Sequence, residues 1–576
     1  MSIQDLAEAS ESVGLETDLC IVGAGAAGIA MALQFIGTGV DVVLLESGGF
    51  AEEAETQALY QGSVADEKLH SPPDRYRQRR FGGSTTIWGG RCMPFDEIDF
   101  ERRDYIPHSG WPFSREALWP YYREANRLCE AGDFAYTVAE AFVRPLRPVI
   151  DGFTSDAFSI DTLERFSCPT DFGARYAHKL RAAANLRVIL HANATDLTLE
   201  DGGRALRSVT ARSLRGSKIT VRAKTFVLAT GGLEVPRLLL ANRAVHPAGI
   251  GNAHDVVGRY YMCHVAGTLG AIQIAKPLSA VWHGYDVADD GTYCRRRFAL
   301  RAAAQRTERL ANFVARLHHP RITDPRHRNA VLSLLFFSKY LIPYEYRTRL
   351  HDAAPTTAAV LAQHLRNVLG DPLSAAAFAT HMLRDRMLTV RKFPSLIVQS
   401  RENLYSLDFH AEQRPNPASR VSLDAAVDAL GMPKLRVDWR YESGDVDTIT
   451  RAVALLAGDV ERRGIGRFDY DPAAIEAEMT RYGAYGGHHI GTARMGTDPR
   501  TSVVNPHGRI HDVANLYIAS SAVFPTSSQA NPTLTIVAMA LRLADHVKSA
   551  LSRPVSTGAD RKPSGPVTPD PAVSSA

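Results

Sequence analysis

Leu19-Cys20-Ile21-Val22-Gly23-Ala24-Gly25-Ala26-Ala27-Gly28 is the stretch of this 576-residue chain whose reading decides the fold. Its first four residues are an apolar run of strand length, and Ala26 to Phe35 reads as a helix. A second strand, Val40 to Leu45, ends at Glu46, eighteen residues past Gly28. Between strand and helix, each glycine of the G-x-G-x-x-G spacing has a task. Gly23 permits the tight turn, Gly25 lets a pyrophosphate approach the backbone, and Gly28 lets the helix pack close to the strand. The helix N-terminus, at Ala26 and Ala27, then faces the phosphates with free N–H groups. Glu46 is placed to accept from the ribose hydroxyls. Alone, such glycines could mark an ordinary turn. Strand, turn, helix, strand and acid in register point to an adenine dinucleotide.

At 63.0 kDa the chain exceeds one core and should divide into about two domains. A hydrophobic fraction of 45% with 22% charged residues is ordinary soluble composition, and a net charge of +4 gives no case for nucleic acid. The N-terminus carries Asp5, Glu8, Glu11 and Glu16 and does not read as a signal peptide; no apolar run is long enough to span a bilayer. A cytoplasmic protein, with membrane association open, is the expectation. Cys20, Cys92, Cys129, Cys168, Cys263 and Cys294 form no C-x-x-C or His/Cys cluster, so no metal site is expected.

Three stretches read as pieces of one α/β, Rossmann-like nucleotide-binding domain: 18–93, 186–265 and 485–552. The second contains the strand Thr225 to Ala229, the turn Thr230-Gly231-Gly232 and a helix from Val235 to Asn242. The third contains the short strand Asn515 to Ala519 and the helix after Asn531. Residues 94–185 and 266–484 then form an inserted substrate domain, α+β in character. Tyr405 to Phe409, Arg420 to Leu423 and Leu435 to Trp439 alternate within it like antiparallel strands. Residues 1–17 and 553–576 read as flexible termini.

Residues 294–392 differ in texture. They read as helices (Gln305 to Leu317, Ala359 to Leu369, Leu373 to Leu388) and hold 18 Lys and Arg against 6 Asp and Glu, a local +12 that leaves −8 on the rest. Val331 to Ile342 is apolar and aromatic but too short to span a membrane. Either this is a buried helix with a solvated arginine face, or a basic, partly apolar surface for anionic lipid or an acidic partner.

Two motifs near the C-terminus carry chemistry. Gly487-His488-His489-Ile490-Gly491-Thr492 surrounds an imidazole with glycines, and Ser528-Gln529-Ala530-Asn531-Pro532-Thr533 opens a helix running to about Val547. Pro532 suits the first helical position and Asn531 the N-cap. The positive end of that helix faces whatever lies before it. An imidazole of near-neutral pKa can take an alcohol proton while hydride leaves the carbon, and Asn531 can hold the same oxygen. Taken singly, His488 could be a loop histidine and Asn531 a simple cap.

Together with Phe81-Gly82-Gly83-Ser84-Thr85-Thr86-Ile87-Trp88-Gly89-Gly90, Ser109-Gly110-Trp111-Pro112 and Ala229-Thr230-Gly231-Gly232-Leu233-Glu234-Val235-Pro236-Arg237, these motifs stand in the order of one family. The chain up to about residue 550 resembles the glucose–methanol–choline (GMC) flavin-dependent oxidoreductases, nearest the pyranose-oxidase and fructose-dehydrogenase-like branch. The resemblance implies FAD, His488 as base and Asn531 as its partner, with His489 a neighbour. It further implies that Gly82, Gly83, Ser84, Thr85, Trp88 and Gly89 run along the flavin ring. Thr230, Gly231, Ala522, Val523, Pro532 and Thr533 are expected at the cofactor, and Ala194 at the adenine. Some members carry a histidine in the Gly-Gly loop that bonds to the flavin. Ile87, or Thr86, stands at that position here, so FAD is expected to be non-covalent.

The implied reaction is oxidation of a CH–OH group of a sugar, glycoside or polyol-like alcohol, with hydride passing to flavin N5. O₂, a quinone or a carrier protein could take the electrons onward. The alternatives are a redox-inactive flavin-containing lyase of the same fold, or an NAD-dependent dehydrogenase, which the opening fingerprint alone would permit.

Overall fold

The computed structural model describes residues 3–9, 12–341, 356–395, 397–398, 400, 402–481 and 483–552. Leu19–Val22 lies at the end of the strand Val13–Val22, which has parallel neighbours on both sides, Val42–Leu45 and Lys218–Leu228. Both apolar runs are fully buried, as parallel strands covered on both faces require. The sheet continues outward through Leu186–Leu190 to Ile3–Asp5 on one side, and on the other through Leu206–Arg212 to Asn193–Leu199. Leu516–Ile518, from the far end of the sequence, adds the eighth strand in parallel beside Lys218–Leu228. Only the excursion Asn193–Leu199, Leu206–Arg212, Lys218–Leu228 is antiparallel. The expected discontinuous Rossmann-like layer is present.

Some boundaries differ from expectation. The first helix is Ala26–Leu33, stopping before Phe35, and the strand after it begins at Val42 because Gly37, with φ +73°, turns the chain. Residues 1–17 were expected to be flexible, yet Ile3–Asp5 pairs with Val188–Leu190, and the fingerprint strand starts at Val13. Two interactions anchor this end: Leu6 is buried, and His191 bridges Asp5 at 2.7 Å and Glu53 at 3.0 Å. The expected tail, 553–576, lies outside the described residues.

Much of 94–185, expected in the substrate layer, packs instead into the core of the first sheet. Phe95, Phe100, Trp111, Tyr122 and Leu128 join that core, as do Phe172, Tyr176 and Leu180 of the helix Phe172–Ala182. The reason is local amphipathicity: Trp119–Leu128 lays Tyr122, Ala125 and Leu128 against the final helix, Thr533–Leu551.

The second layer is an antiparallel sheet of seven strands built on Met262–Ile274, Leu404–Ala411, Phe313–His318, Phe298–Leu300 and Phe158–Ser159, with Gly466–Asp469 and Tyr485–Ile490 also paired to Met262–Ile274. The helix Ser443–Arg462 closes its core with Ile449, Val453, Leu456 and Val460. The expected strands near 420 and 435 are Arg420–Val427 and Pro433–Asp438, joined in a small sheet by Gly62–Val64.

The helix expected over Gln305 to Leu317 is a correction. Ala302–Glu308 is helical, Arg309 turns the chain at φ +56°, and Phe313–His318 is a strand. Phe313 to Leu317 are all buried, including Arg316, which pairs with Glu164 and Asp408. A strand buried on both faces has no alternation to distinguish it from a helix. Ala330–Phe337 takes the buried-helix reading: Val331, Leu332 and Phe336 pack with Ile322 and Val398. No helix among the described residues is long and apolar enough to cross a membrane.

Candidate active site

A cavity of about 430 Å³ runs between the two layers, and it gathers nearly every expected site residue. Its wall includes Gly23, Gly25, Ala26, Ala27, Glu46, Gly83, Ser84, Thr85, Trp88, Gly89, Ala194, Thr230, Gly231, His488, Asn531, Pro532 and Thr533. Helices Ala26–Leu33, Gly231–Ala241 and Thr533–Leu551 all begin at this wall, so three sets of free N–H groups converge on it.

Four expected residues stand behind the wall. A Cβ on Gly28 would lie 1.8 Å from the carbonyl oxygen of Gly23, so Gly28 is where helix and turn touch, as its spacing implied. Gly82, at φ +95°, lets the Gly-Gly loop meet Gly173 and Asp171. Ala522 and Val523 are a correction: both are wholly buried and their carbonyls accept from Ala493 and Met495. Ala519, Ser520 and Ser521 reach the cavity in their place.

Glu46 is well held. Its carboxylate accepts from the N–H groups of Ala24 at 2.8 Å and Gly48 at 3.0 Å, which ties the end of the second strand to the fingerprint turn. The Gly-Gly loop packs on the same turn, a Cβ on Gly83 falling 3.0 Å from Gly25 Cα. Thr85 locks this loop by donating to Gly82 at 2.6 Å and accepting from Phe172 N–H at 3.1 Å, and Trp88 donates to Thr170 at 2.9 Å.

His488 and His489 sit on the strand Tyr485–Ile490. Asn531 Nδ2 lies 3.3 Å from His488 Nε2, although 43 positions separate them in the chain. The expected N-cap role of Asn531 is not taken up. Pro532 stands at the cap without a side-chain bond, and Asn531 turns to His488 instead. His489 points elsewhere, its Nδ1 2.6 Å from the Tyr261 hydroxyl. Burial, with His264 and Arg91 close by, pushes the His488 pKa well below the ordinary histidine value. Its imidazole is therefore neutral at physiological pH, as a base must be.

Several site residues were missed. His264 Nδ1 is 2.7 Å from His488 Nδ1, and His410 stacks on His264 with ring centroids 4.5 Å apart. His70, Cys263 and His489 also cluster, around the Tyr261 hydroxyl. Chain spacing gave no sign of either group, because paired strands, and for His70 a loop, bring together residues distant in the chain. Arg77 and Arg79 lie over the Tyr60 ring and pair with buried Glu234. Burial alone would raise the Glu234 pKa, but Arg237, Arg79 and Arg77 outweigh it and hold the carboxyl at about 2. Here a signal was available: the basic run Arg75-Tyr76-Arg77-Gln78-Arg79-Arg80 immediately precedes the Gly-Gly loop.

The wall suits a nucleotide cofactor. A Cβ on Gly25 or Gly231 would meet nothing within 4 Å, and both glycines border the open space. Thr230 Oγ1, Asn531 Oδ1 and His489 Nε2 are buried without hydrogen-bond partners among the described residues. Residues 18–333 match the family described as FAD dependent oxidoreductase, and residues 415–540 match GMC oxidoreductase.

The chain belongs to the GMC family of FAD-dependent oxidoreductases.

Its cofactor is FAD, and its activity is that of a flavoprotein oxidoreductase on alcohol donors. The 2-methyl-1,2-propanediol dehydrogenase of Mycolicibacterium austroafricanum is 23% identical, over 93% of this chain and 96% of that protein. The fructose dehydrogenase large subunit of Gluconobacter japonicus is 24% identical, over 94% and 99%. Among solved structures, formate oxidase of Aspergillus oryzae shares the fold, with a TM-score of 0.53 and 14% identity over 93% of this chain and 98% of that one. Neither the NAD-dependent dehydrogenase nor the redox-inactive lyase is favoured.

Proposed function

We propose that the protein oxidises a CH–OH group of a sugar, glycoside or polyol-like alcohol to the carbonyl, with His488 as the base. The observation that carries this reading is the His488–Asn531 pair, Nε2 to Nδ2 at 3.3 Å, in the wall of the cavity that also holds the fingerprint turn. Bound FAD supplies the two-electron oxidant that accepts hydride from the carbinol carbon. His488 Nε2 takes the hydroxyl proton. The Asn531 amide, 3.3 Å from His488 Nε2, can turn an N–H to the substrate oxygen and so leave the Nε2 lone pair to take the hydroxyl proton. The positive end of the Thr533–Leu551 helix, at the same wall, favours negative charge developing before it. Relatives named for a diol, fructose and paromamine support the substrate class. Anaerobic mixing of the yellow holoenzyme with a panel of sugars, glycosides and diols tests it. Bleaching of the flavin absorbance by at least one member is expected; a panel that leaves the colour untouched removes the reading.

Non-covalent attachment follows from the loop. Ile87 and Thr86 stand where a linking histidine would be needed, and Ile87 lines the cavity. Acid precipitation should release all the yellow colour into the supernatant, and colour retained on the pellet would contradict this.

The basic insertion adds a docking surface for anionic lipid. Leu361, Leu365 and Leu369 recur every fourth residue on the helix Ala358–Gly370 and are 41%, 51% and 69% exposed. Leu373, Met387, Leu388 and Val390, further along the same segment, are also exposed, and Arg384 and Arg386 lie among them in sequence. Pro394 and Ser395, a few residues on, line the cavity. Flotation with phosphatidylglycerol vesicles, but not phosphatidylcholine vesicles, is expected, with loss of binding in a Leu365→Asp/Leu369→Asp variant. Protein that stays at the bottom of the gradient with both lipids ends this part of the proposal.

A further inference from the structure

His264 lies in the strand Met262–Ile274 and is wholly buried. Its Nε2 is 3.1 Å from the carbonyl oxygen of Ser527. A carbonyl only accepts, so Nε2 carries the proton. Burial pushes the His264 pKa down to about 4, and the ring is neutral, with a single N–H. Its Nδ1 is therefore a lone pair. That lone pair faces His488 Nδ1 at 2.7 Å, so the single proton of neutral His488 must sit on Nδ1. What remains at His488 Nε2 is a lone pair, beside Asn531 Nδ2 in the cavity wall.

This orientation is held from behind. Ser527 Oγ accepts from Gln413 N–H at 3.0 Å and donates to the Gln413 carbonyl at 3.1 Å. Gln413 Oε1 accepts from the N–H of Cys263, next to His264, at 2.8 Å and from Trp439 Nε1 at 2.8 Å. One buried glutamine thus fixes both the carbonyl that orders His264 and the strand that carries it. His410, stacked on the other side, is tied to the Gln529 carbonyl at 2.6 Å.

We propose that His264, ordered by the Ser527 carbonyl, is a positioning residue that selects the His488 tautomer whose Nε2 is the base. It rests on the reading of His488 as that base. When His488 Nε2 takes the substrate proton, the imidazolium donates from Nδ1 to a neutral acceptor, and the hydrogen bond becomes charge-assisted. No relay runs beyond the pair, because the other nitrogen of His264 is already protonated against a carbonyl, which only accepts. Of the groups facing the pair, His410 is a neutral, buried ring and Arg91 is a cation. Burial and the Arg91 cation disfavour positive charge here, so the pair carries one positive charge at most.

Two measurements on the holoenzyme test the proposal. In the wild-type protein with ¹⁵N-labelled histidine, His488, assigned by its loss in His488→Gln, should show a protonated Nδ1 and an unprotonated Nε2. The reverse pattern overturns the proposal whatever the substrate. In stopped-flow reduction by an alcohol that bleaches the flavin, His264→Leu should slow the reduction step roughly 10- to 100-fold, with substrate binding and flavin content unchanged. His264→Asn places an amide oxygen near the position of Nδ1 and should recover most of that rate. Equal reduction rates in wild type and His264→Leu, or a loss that His264→Asn does not restore, count against His264. If no alcohol bleaches the wild-type flavin, the function fails, and the tautomer measurement still decides the inference.

Discussion

His488→Ala should lower the rate of flavin reduction by alcohol about 10²- to 10⁴-fold, the usual range for removing a general base. Flavin content and substrate affinity should change little, because the side chain lines the cavity while the fold is held elsewhere. The pH profile gives a second reading. Burial, His264 and Arg91 all press the His488 pKa well below the ordinary histidine value. A group with its pKa lowered in this way loses its proton before neutrality and gains it only in acid. Wild-type kcat/KM should therefore show no fall on passing from pH 8 to pH 6 that can be assigned to protonation of a base. Near-wild-type turnover in His488→Ala would remove this residue from the chemistry, and a base-type inflection between pH 6 and 7 would contradict its environment.

Two alanine substitutions in the fingerprint turn should separate packing from cofactor binding. In Gly28→Ala the new Cβ falls 1.8 Å from the Gly23 carbonyl oxygen and 3.0 Å from its carbon. Backbone cannot give way as a flexible side chain would, so the helix must lift from the strand. Overpacking of this kind costs about 1–3 kcal/mol or more. The expected result is a lower Tm together with colourless or poorly loaded protein. In Gly25→Ala the Cβ meets nothing of the protein within 4 Å and points into open space. That variant should keep the apoprotein Tm while losing FAD affinity, about tenfold or more for each 1.4 kcal/mol of contact displaced. Equal loading of Gly25→Ala and wild type, read from the ratio of flavin to protein absorbance, would show that no phosphate approaches this backbone.

How far the site was legible depended on whether the chemistry was local. Gly23, Gly25, Gly28 and Glu46 could be read because strand, turn and helix are consecutive, and the physics of the turn is written in order. His488 and Asn531 were found through motif order, although their contact spans 43 positions. His264 and His410 were not found. Each is a lone histidine in an apolar strand, and only the pairing of Met262–Ile274 with Leu404–Ala411 and Tyr485–Ile490 makes them neighbours of the base. Ala522 and Val523 were placed one turn too far along, since burial behind a wall and exposure at it look alike in an apolar run. The strand Phe313–His318 departs from the helix expected there for a related reason: a segment covered on both faces carries no periodicity. Ile3–Asp5 escaped notice because a three-residue edge strand has too little sequence to declare itself.

The placement of Leu516–Ile518 beside Lys218–Leu228, itself zipped to Val13–Val22, sets the order in which the molecule can be completed. The glycine turn leaves the ribosome before the strands and wall segments that complete it. Its partner strand follows some two hundred residues later, and the wall segment Asn531 to Thr533 about five hundred residues after the turn. A nascent chain halted before that point has the phosphate turn but no closed chamber. Flavin capture therefore waits for the segment around residue 531, and shortening the chain ahead of it should yield a product that cannot retain its pigment, however well the earlier segments have folded.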